Sequence, residues 1–194
     1  MPLSVGDKLP TDVKFTYVPY TEEKAGITSC GSPIVYNAGI VHFTSSHFFL
    51  GRNSGYSNTQ TQADGYLNVE WQNKKVVLFS VPGAFTPGCS AKHLPGFIEN
   101  LDKLKAKGVD IVACIAYNDA FVMNAWAKAN EIRNDDILFL SDDKGFSKDT
   151  VGWMKGERTA RYALVIDQGV VKYAEVEPGM DVDVSSATAV LAKL

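Results

Sequence analysis

The residues of this chain best suited to chemistry lie in Val81–Ser90, VPGAFTPGCS. Thr86 is a good N-cap, and Pro87 suits the first position of a helix, where its missing N–H would have no partner in any case. Cys89 then falls in the first helical turn, where free backbone N–H groups and the helix dipole favour an anion. A cysteine so placed is a candidate thiolate, the nucleophilic form of the side chain. The competing reading is a small buried hydrophobe, the usual fate of a free cysteine, and position alone leaves both open. Lys92 stands where a Cys-x-x-Cys pair would have its second cysteine, which counts against a dithiol exchanger.

The remaining reactive side chains are sparse. Cys30 lies in a loop-like stretch, ITSCGSP, whereas Cys114 sits inside the apolar run VACIA and is expected to be a core residue. His42, His47 and His93 do not cluster, so no metal set is indicated. His93, near Cys89, could tune the site, but a surface role on the first helix is expected. Arg161, taken alone, is a strand-edge arginine, solvated or paired with a carboxylate. No glycine-rich phosphate loop occurs, so no nucleotide cofactor is implied. Phe85 and Phe121 could line an apolar mouth or a dimer face, while Trp126 is expected in the core.

The elements around these residues alternate. Val13–Val18 is expected as an edge strand. Val76–Val81 and Val109–Ala116 are short continuous apolar runs, the mark of strands buried on both faces. Between them, Phe97, Ile98, Leu101 and Leu104 recur near helical spacing up to Gly108. Pro95 predicts a kink before Phe97. Asp119 can cap a helix through Asn130, and Ile137–Leu140 is a third strand. Tyr162–Asp167 and Val170–Val176 flank Gln168-Gly169, a hairpin turn. Ser185 or Ser186 can cap a last helix to Leu194. This β-α-β-α-β order, followed by a hairpin and a helix, predicts an α/β domain with a central mixed sheet flanked by helices, best matched by the thioredoxin-like fold.

The 194 residues suit a single domain with a sizeable core. A net charge of −3 carries no basic excess for nucleic acid or an anionic membrane. No apolar run reaches the roughly 20 residues of a membrane span, and Met1–Pro10 lacks the apolar core of a secretory signal. Three scattered cysteines and no Asn-x-Ser/Thr acceptor point to an intracellular protein. Gly31–Asn73 is poor in charge, carrying only Arg52, Asp64 and Glu70. Within it, Ile40–Leu50 is apolar enough for a strand or a sticky segment, and Gly51–Gly65 has loop composition.

Pro82, Thr86 and Cys89 fill the pattern P-x-x-x-T-x-x-C, which resembles the peroxidatic motif of the peroxiredoxins. The strings PGAFTPGCSAKHLPGF, VACIAYNDAFVMNAWAKAN and RYALVIDQGVV are similar to the type-5 subfamily, above all to fungal alkyl hydroperoxide reductases and peroxisomal thiol peroxidases. The resemblance spans Val5–Ala38 and Asn68–Leu194. It implies a thiol peroxidase for hydrogen peroxide and alkyl hydroperoxides, in which Cys89 becomes a sulfenic acid. Thr86 and the N–H groups of Gly88 and Cys89 would serve as donors, Pro82 would shield the thiolate, and Arg161 would hold it ionised, with Arg158 the alternative. Ser185 and Ser186 occupy the region where many type-5 members carry a C-terminal resolving cysteine. Cys30 matches the N-terminal resolving position of the fungal enzymes, implying a Cys30–Cys89 disulfide across a homodimer. The implied reductant is thioredoxin, or glutathione with glutaredoxin, and no cofactor is implied. A redox sensor that passes its disulfide to client proteins is the alternative role.

Against the fungal pattern, Gly39–Leu67 stands out as an insertion, expected as a surface loop or disordered segment within one domain. The tripeptide Ala192-Lys193-Leu194 resembles the peroxisomal SKL address. Joined to the resemblance, it gives the expectation of a peroxisomal protein that engages the import receptor, with the cytosol as the alternative.

Overall fold

The structure is a computed structural model that describes residues 2–39 and 70–194. Nine strands are described. They are β1 (Lys14–Tyr17), β2 (Ile34–Asn37), β3 (Lys75–Ser80), β4 (Ile111–Ala116), β5 (Leu138–Ser141), β6 (Met154–Lys155), β7 (Arg158–Thr159), β8 (Tyr162–Asp167) and β9 (Val170–Val176). The helices are α1 (Leu94–Glu99), α2 (Leu101–Ala106), α3 (Ala120–Ala129) and α4 (Ala187–Leu191). Seven strands form one sheet in the order β2-β1-β5-β4-β3-β8-β9, while β6 and β7 pair separately. β3, β4 and β5 run parallel, and every other neighbour pair in the large sheet is antiparallel. This is the mixed, helix-flanked sheet that the element order predicts.

The strands alternate their side chains between two cores, as the period of two requires. Val77 and Phe79 of β3 face the core beneath all four α-helices, with Phe97, Leu104, Trp126 and Val190. Val76 and Leu78 face the other, with Phe15, Trp71 and Leu164. There the cover includes Phe146 and Val151 of a π-helical segment, Phe146–Val151. The hairpin turn has φ of 49° at Gln168 and 78° at Gly169, the left-handed pair of a type I′ turn. Asp119 caps α3 by accepting from the N–H groups of Phe121 and Val122 at 2.9 and 3.0 Å. Ser186, rather than Ser185, caps α4, which ends at Leu191.

Three elements differ from expectation. β1 is not an edge strand, because β2 pairs outside it. Ile34 and Val35 of β2 are about half exposed, so that strand lacks the patterning that marks a buried one. The helix expected over 97–107 is broken at Asn100, whose amide side chain donates to the Gly96 carbonyl at 2.8 Å. The break expected at Pro95 is absorbed upstream. The helix is continuous over 87–99, and its Cys89–His93 turn widens to π-helical form. A wider turn accommodates a missing N–H without ending the helix.

The expected insertion, Gly39–Leu67, lies outside the described residues except for Gly39, as do Ile40–Leu50 and Gly51–Gly65. The chain on either side of it is tied together: Glu70 N–H donates to the Asn37 carbonyl at 2.8 Å. Gly39 N–H donates to Val13 O at 3.1 Å, and a Cβ at Gly39 would stand 2.1 Å from Thr11 O. Only glycine permits that approach.

Candidate active site

The end of β3 delivers Val81–Ser90 to the carboxyl edge of the parallel strands. Asn118, beyond β4, steadies this turn by accepting from Ala84 N–H at 2.8 Å. Thr159 Oγ1 donates to the Val81 carbonyl at 2.7 Å from the other side. Phe85 takes φ of 58°, a left-handed conformation unusual for an aromatic residue, and it leaves its ring 54% exposed. The helix begins at Pro87, and the Thr86 carbonyl accepts its first bond from Ser90 N–H at 2.9 Å. The Thr86 hydroxyl does not cap the helix. It donates to Gly83 O at 2.8 Å, which leaves its oxygen lone pairs as acceptors.

Cys89 is fully buried and opens the π-helical turn. Arg161, one residue before β8, donates from Nη2 to Cys89 Sγ at 3.5 Å. A Cβ on Gly88 would come within 3.2 Å of that nitrogen, so glycine there keeps room for the guanidinium. Arg161 is itself buried, and among the described residues no carboxylate lies within ion-pair distance of it. A buried cation without a counter-ion is costly, and the Cys89 sulfur is the group that Nη2 faces. Arg161, not Arg158, is therefore the arginine that reaches the thiol. Arg158 is exposed, and it lines two adjoining cavities with Pro82 and Thr86. The larger has a volume of about 690 Å³ and is walled also by Gly88, Arg161, Val176 and Met180.

His93 corrects the sequence reading. It is not on the surface but 1% exposed, with its ring packed edge to face against the stacked pair Phe79 and Phe97. Its Nδ1 lies 3.1 Å from Arg161 Nη1 and its Nε2 lies 2.9 Å from Ser185 O. Burial first, and the Arg161 charge after it, push its pKa down to about 4, so the ring is neutral near neutral pH. The signal was present: His93 lies four residues beyond Cys89, on the same helix face. Its partners, 68 and 92 residues away in sequence, had no local signature.

The other cysteines separate cleanly. Cys114 is buried in β4, where burial raises its thiol pKa well above the usual range, in keeping with a core role. Cys30 is exposed on the loop before β2 and forms no disulfide within the chain. That loop is held by Lys128 of α3, which donates to the carbonyls of Lys24, Gly26 and Ser29. Trp126 is buried, and its indole N–H donates to Ser90 Oγ at 3.1 Å, while Phe121 is exposed. Among the described residues no cluster of His, Cys, Asp and Glu could hold a metal ion, and no helix is long and apolar enough to cross a membrane.

The family profile described as Redoxin matches residues 56–191. The chain belongs to the redoxin family, as a peroxiredoxin. Peroxiredoxin Pen c 3 of Penicillium citrinum is 45% identical over 196 residues, covering 100% of both chains. A Lipomyces kononenkoae protein whose name includes the words peroxisomal peroxiredoxin is 37% identical, covering 97% of this chain and 99% of its own. Among solved structures, reduced Prx3 of Vibrio vulnificus in complex with hydrogen peroxide is 36% identical, with a TM-score of 0.67 and 98% of each chain covered. As a peroxiredoxin, the protein is a thiol peroxidase with an antioxidant function. This family acts on peroxides and draws its electrons from thiol reductants.

Proposed function

We propose that Cys89 is the peroxidatic cysteine and that the cavity bounded by Pro82, Thr86, Gly88 and Arg161 admits hydrogen peroxide or an alkyl hydroperoxide. The observation that carries this reading is Arg161 Nη2 at 3.5 Å from Cys89 Sγ, buried and, among the described residues, without a carboxylate partner. The thiolate attacks one peroxide oxygen. An S–O bond forms, the O–O bond breaks, and the departing hydroxide or alkoxide takes a proton to leave as water or alcohol. Cys89 is left as a sulfenic acid. Negative charge passes from sulfur to the leaving oxygen, so donors are needed at both. Arg161 faces the sulfur, and the free N–H groups of Gly88 and Cys89 serve the oxygens. The Thr86 hydroxyl, engaged with Gly83 O, accepts from the proton of the bound peroxide. Pro82 walls the cavity.

Cys30 of a partner subunit then attacks the sulfenic sulfur, water leaves, and an intersubunit disulfide forms. Thioredoxin, or glutathione with glutaredoxin, returns both thiols, and no prosthetic group takes part. The exposure of Cys30 and its place on a loop tied by Lys128 support this role. Residues 39–67 form an insertion within a single domain. The Glu70–Asn37 hydrogen bond, which brings the flanking chain back to its point of departure, supports that boundary. The peroxisome is the proposed location, supported by the name of the Lipomyces relative.

Purified protein with dithiothreitol should consume peroxide, and Cys89→Ser should abolish this; unchanged turnover would overturn the reading. A peroxide-treated dimer on a non-reducing gel should vanish in Cys30→Ser. Deleting 39–67 should leave a folded peroxidase, and failure to fold would refute the insertion.

A further inference from the structure

The residues behind Arg161, with His93 and Ser185 buried among them, form a chain of hydrogen bonds that the reaction as described does not use. A guanidinium can only donate, so at the 3.1 Å contact Arg161 Nη1 donates and His93 Nδ1 accepts. The Ser185 carbonyl can only accept, so His93 Nε2 carries the hydrogen and donates at 2.9 Å. Both contacts demand the same neutral tautomer. Ser185 is fixed in turn: its N–H and its hydroxyl both donate to Glu177 Oε1, at 2.8 and 2.7 Å, and Asp183 N–H donates to the same oxygen at 2.7 Å. Glu177 N–H closes the loop by donating to the Arg161 carbonyl at 2.9 Å. Phe79 and Phe97 meet the imidazole edge to face, at 65° and 62°, and pack against one side of the ring.

We propose that His93 is a positioning residue for the peroxide reaction: by accepting from Arg161 Nη1 it holds the guanidinium with Nη2 on Cys89 Sγ. This rests on the reading of Cys89 as the peroxidatic cysteine. An arginine side chain has four rotatable bonds, and among the described residues no carboxylate seats Arg161. His93 takes that place without supplying a negative charge that would compete with the thiolate for the cation. Burial keeps the imidazole neutral, as the role requires. A protonated ring would lose the acceptor and set a second cation against Arg161.

Two substitutions separate the two ring nitrogens. His93→Asn keeps a carbonyl oxygen near the position of Nδ1 and loses the donor to Ser185. His93→Gln keeps an N–H near Nε2 and loses the acceptor to Arg161. The reduced protein is mixed with hydrogen peroxide in a stopped-flow instrument, and the rate of Cys89 oxidation is followed. His93→Gln should be about 10- to 100-fold slower than wild type, the loss of one hydrogen bond to a charged group, while His93→Asn should stay within about 5-fold. Reduction of the oxidised protein by dithiothreitol should be unchanged in both, which a general loosening of the fold would not allow. His93→Gln at the wild-type rate, Asn as slow as Gln, or an equal slowing of both steps overturns the assignment. If His93→Gln does not fold, His93→Ala should regain peroxide reactivity when imidazole is added, and failure to do so is equally decisive. The wild-type trace keeps the two readings apart: absence of Cys89 oxidation there contradicts the function, whereas the wrong variant pattern in an active wild type contradicts only the role of His93.

Discussion

Replacing Arg161 by Met removes the buried cation that reaches Cys89 while nearly preserving side-chain length. Two bounds frame the effect. At 3.5 Å and an effective dielectric near 20, two unit charges attract by about 5 kcal/mol. A hydrogen bond to a charged group contributes about 1.5–3 kcal/mol net. The difference that reaches the barrier lies between these, because part of the attraction persists as charge moves from sulfur to oxygen. A loss of about 3–4 kcal/mol lowers the rate about 10²–10³-fold. Trp126, whose indole N–H bonds Ser90 beside Cys89, offers a fluorescence reporter for stopped-flow mixing with hydrogen peroxide. Arg161→Lys should fall between wild type and Met, because one ammonium on a shorter reach cannot serve both Cys89 and His93 as the planar guanidinium does. Oxidation of the Met variant within about 3-fold of the wild-type rate would refute the electrostatic reasoning, since that corresponds to less than about 1 kcal/mol.

His93 also sets a pH dependence of stability. Its folded pKa of about 4 lies below the ordinary 6.5, so the unfolded chain binds the extra proton and stability falls with pH between those values. From pH 7 to pH 5 the wild type should lose about 2 kcal/mol more than His93→Asn in urea melts, and equal losses would contradict a neutral buried ring. Lys128→Met should free the Cys30 loop, slowing disulfide formation while leaving the first peroxide step unchanged. Unchanged disulfide formation would sever Lys128 from resolution. Asp119→Ala removes two cap bonds from α3 and should cost about 1 kcal/mol in chemical denaturation.

The peroxide-facing half of the site is legible in the sequence because its signals are local. β3 announces itself by Val76–Val81, a run too apolar to lie anywhere but in the middle of a sheet. Thr86 and Pro87 mark where the helix starts, and Cys89 follows within its first turn. The buried half is illegible for the opposite reason. His93 acquires its meaning from Arg161 and Ser185, which the fold brings from the residue before β8 and from the segment before α4. A lone histidine on an amphipathic helix carries no trace of them. β2 escapes because half-exposed Ile34 and Val35 lie in a stretch poor in charge, with little contrast to mark a face. The π-helical turn escapes because no residue type specifies it.

The most direct test of the central claim is mass spectrometry of the protein after one equivalent of hydrogen peroxide in the presence of dimedone, a trap for sulfenic acids. Cys89 should carry the label, and without dimedone it should appear in a disulfide with Cys30. Label on Cys30 or Cys114 with Cys89 unmodified would contradict the account.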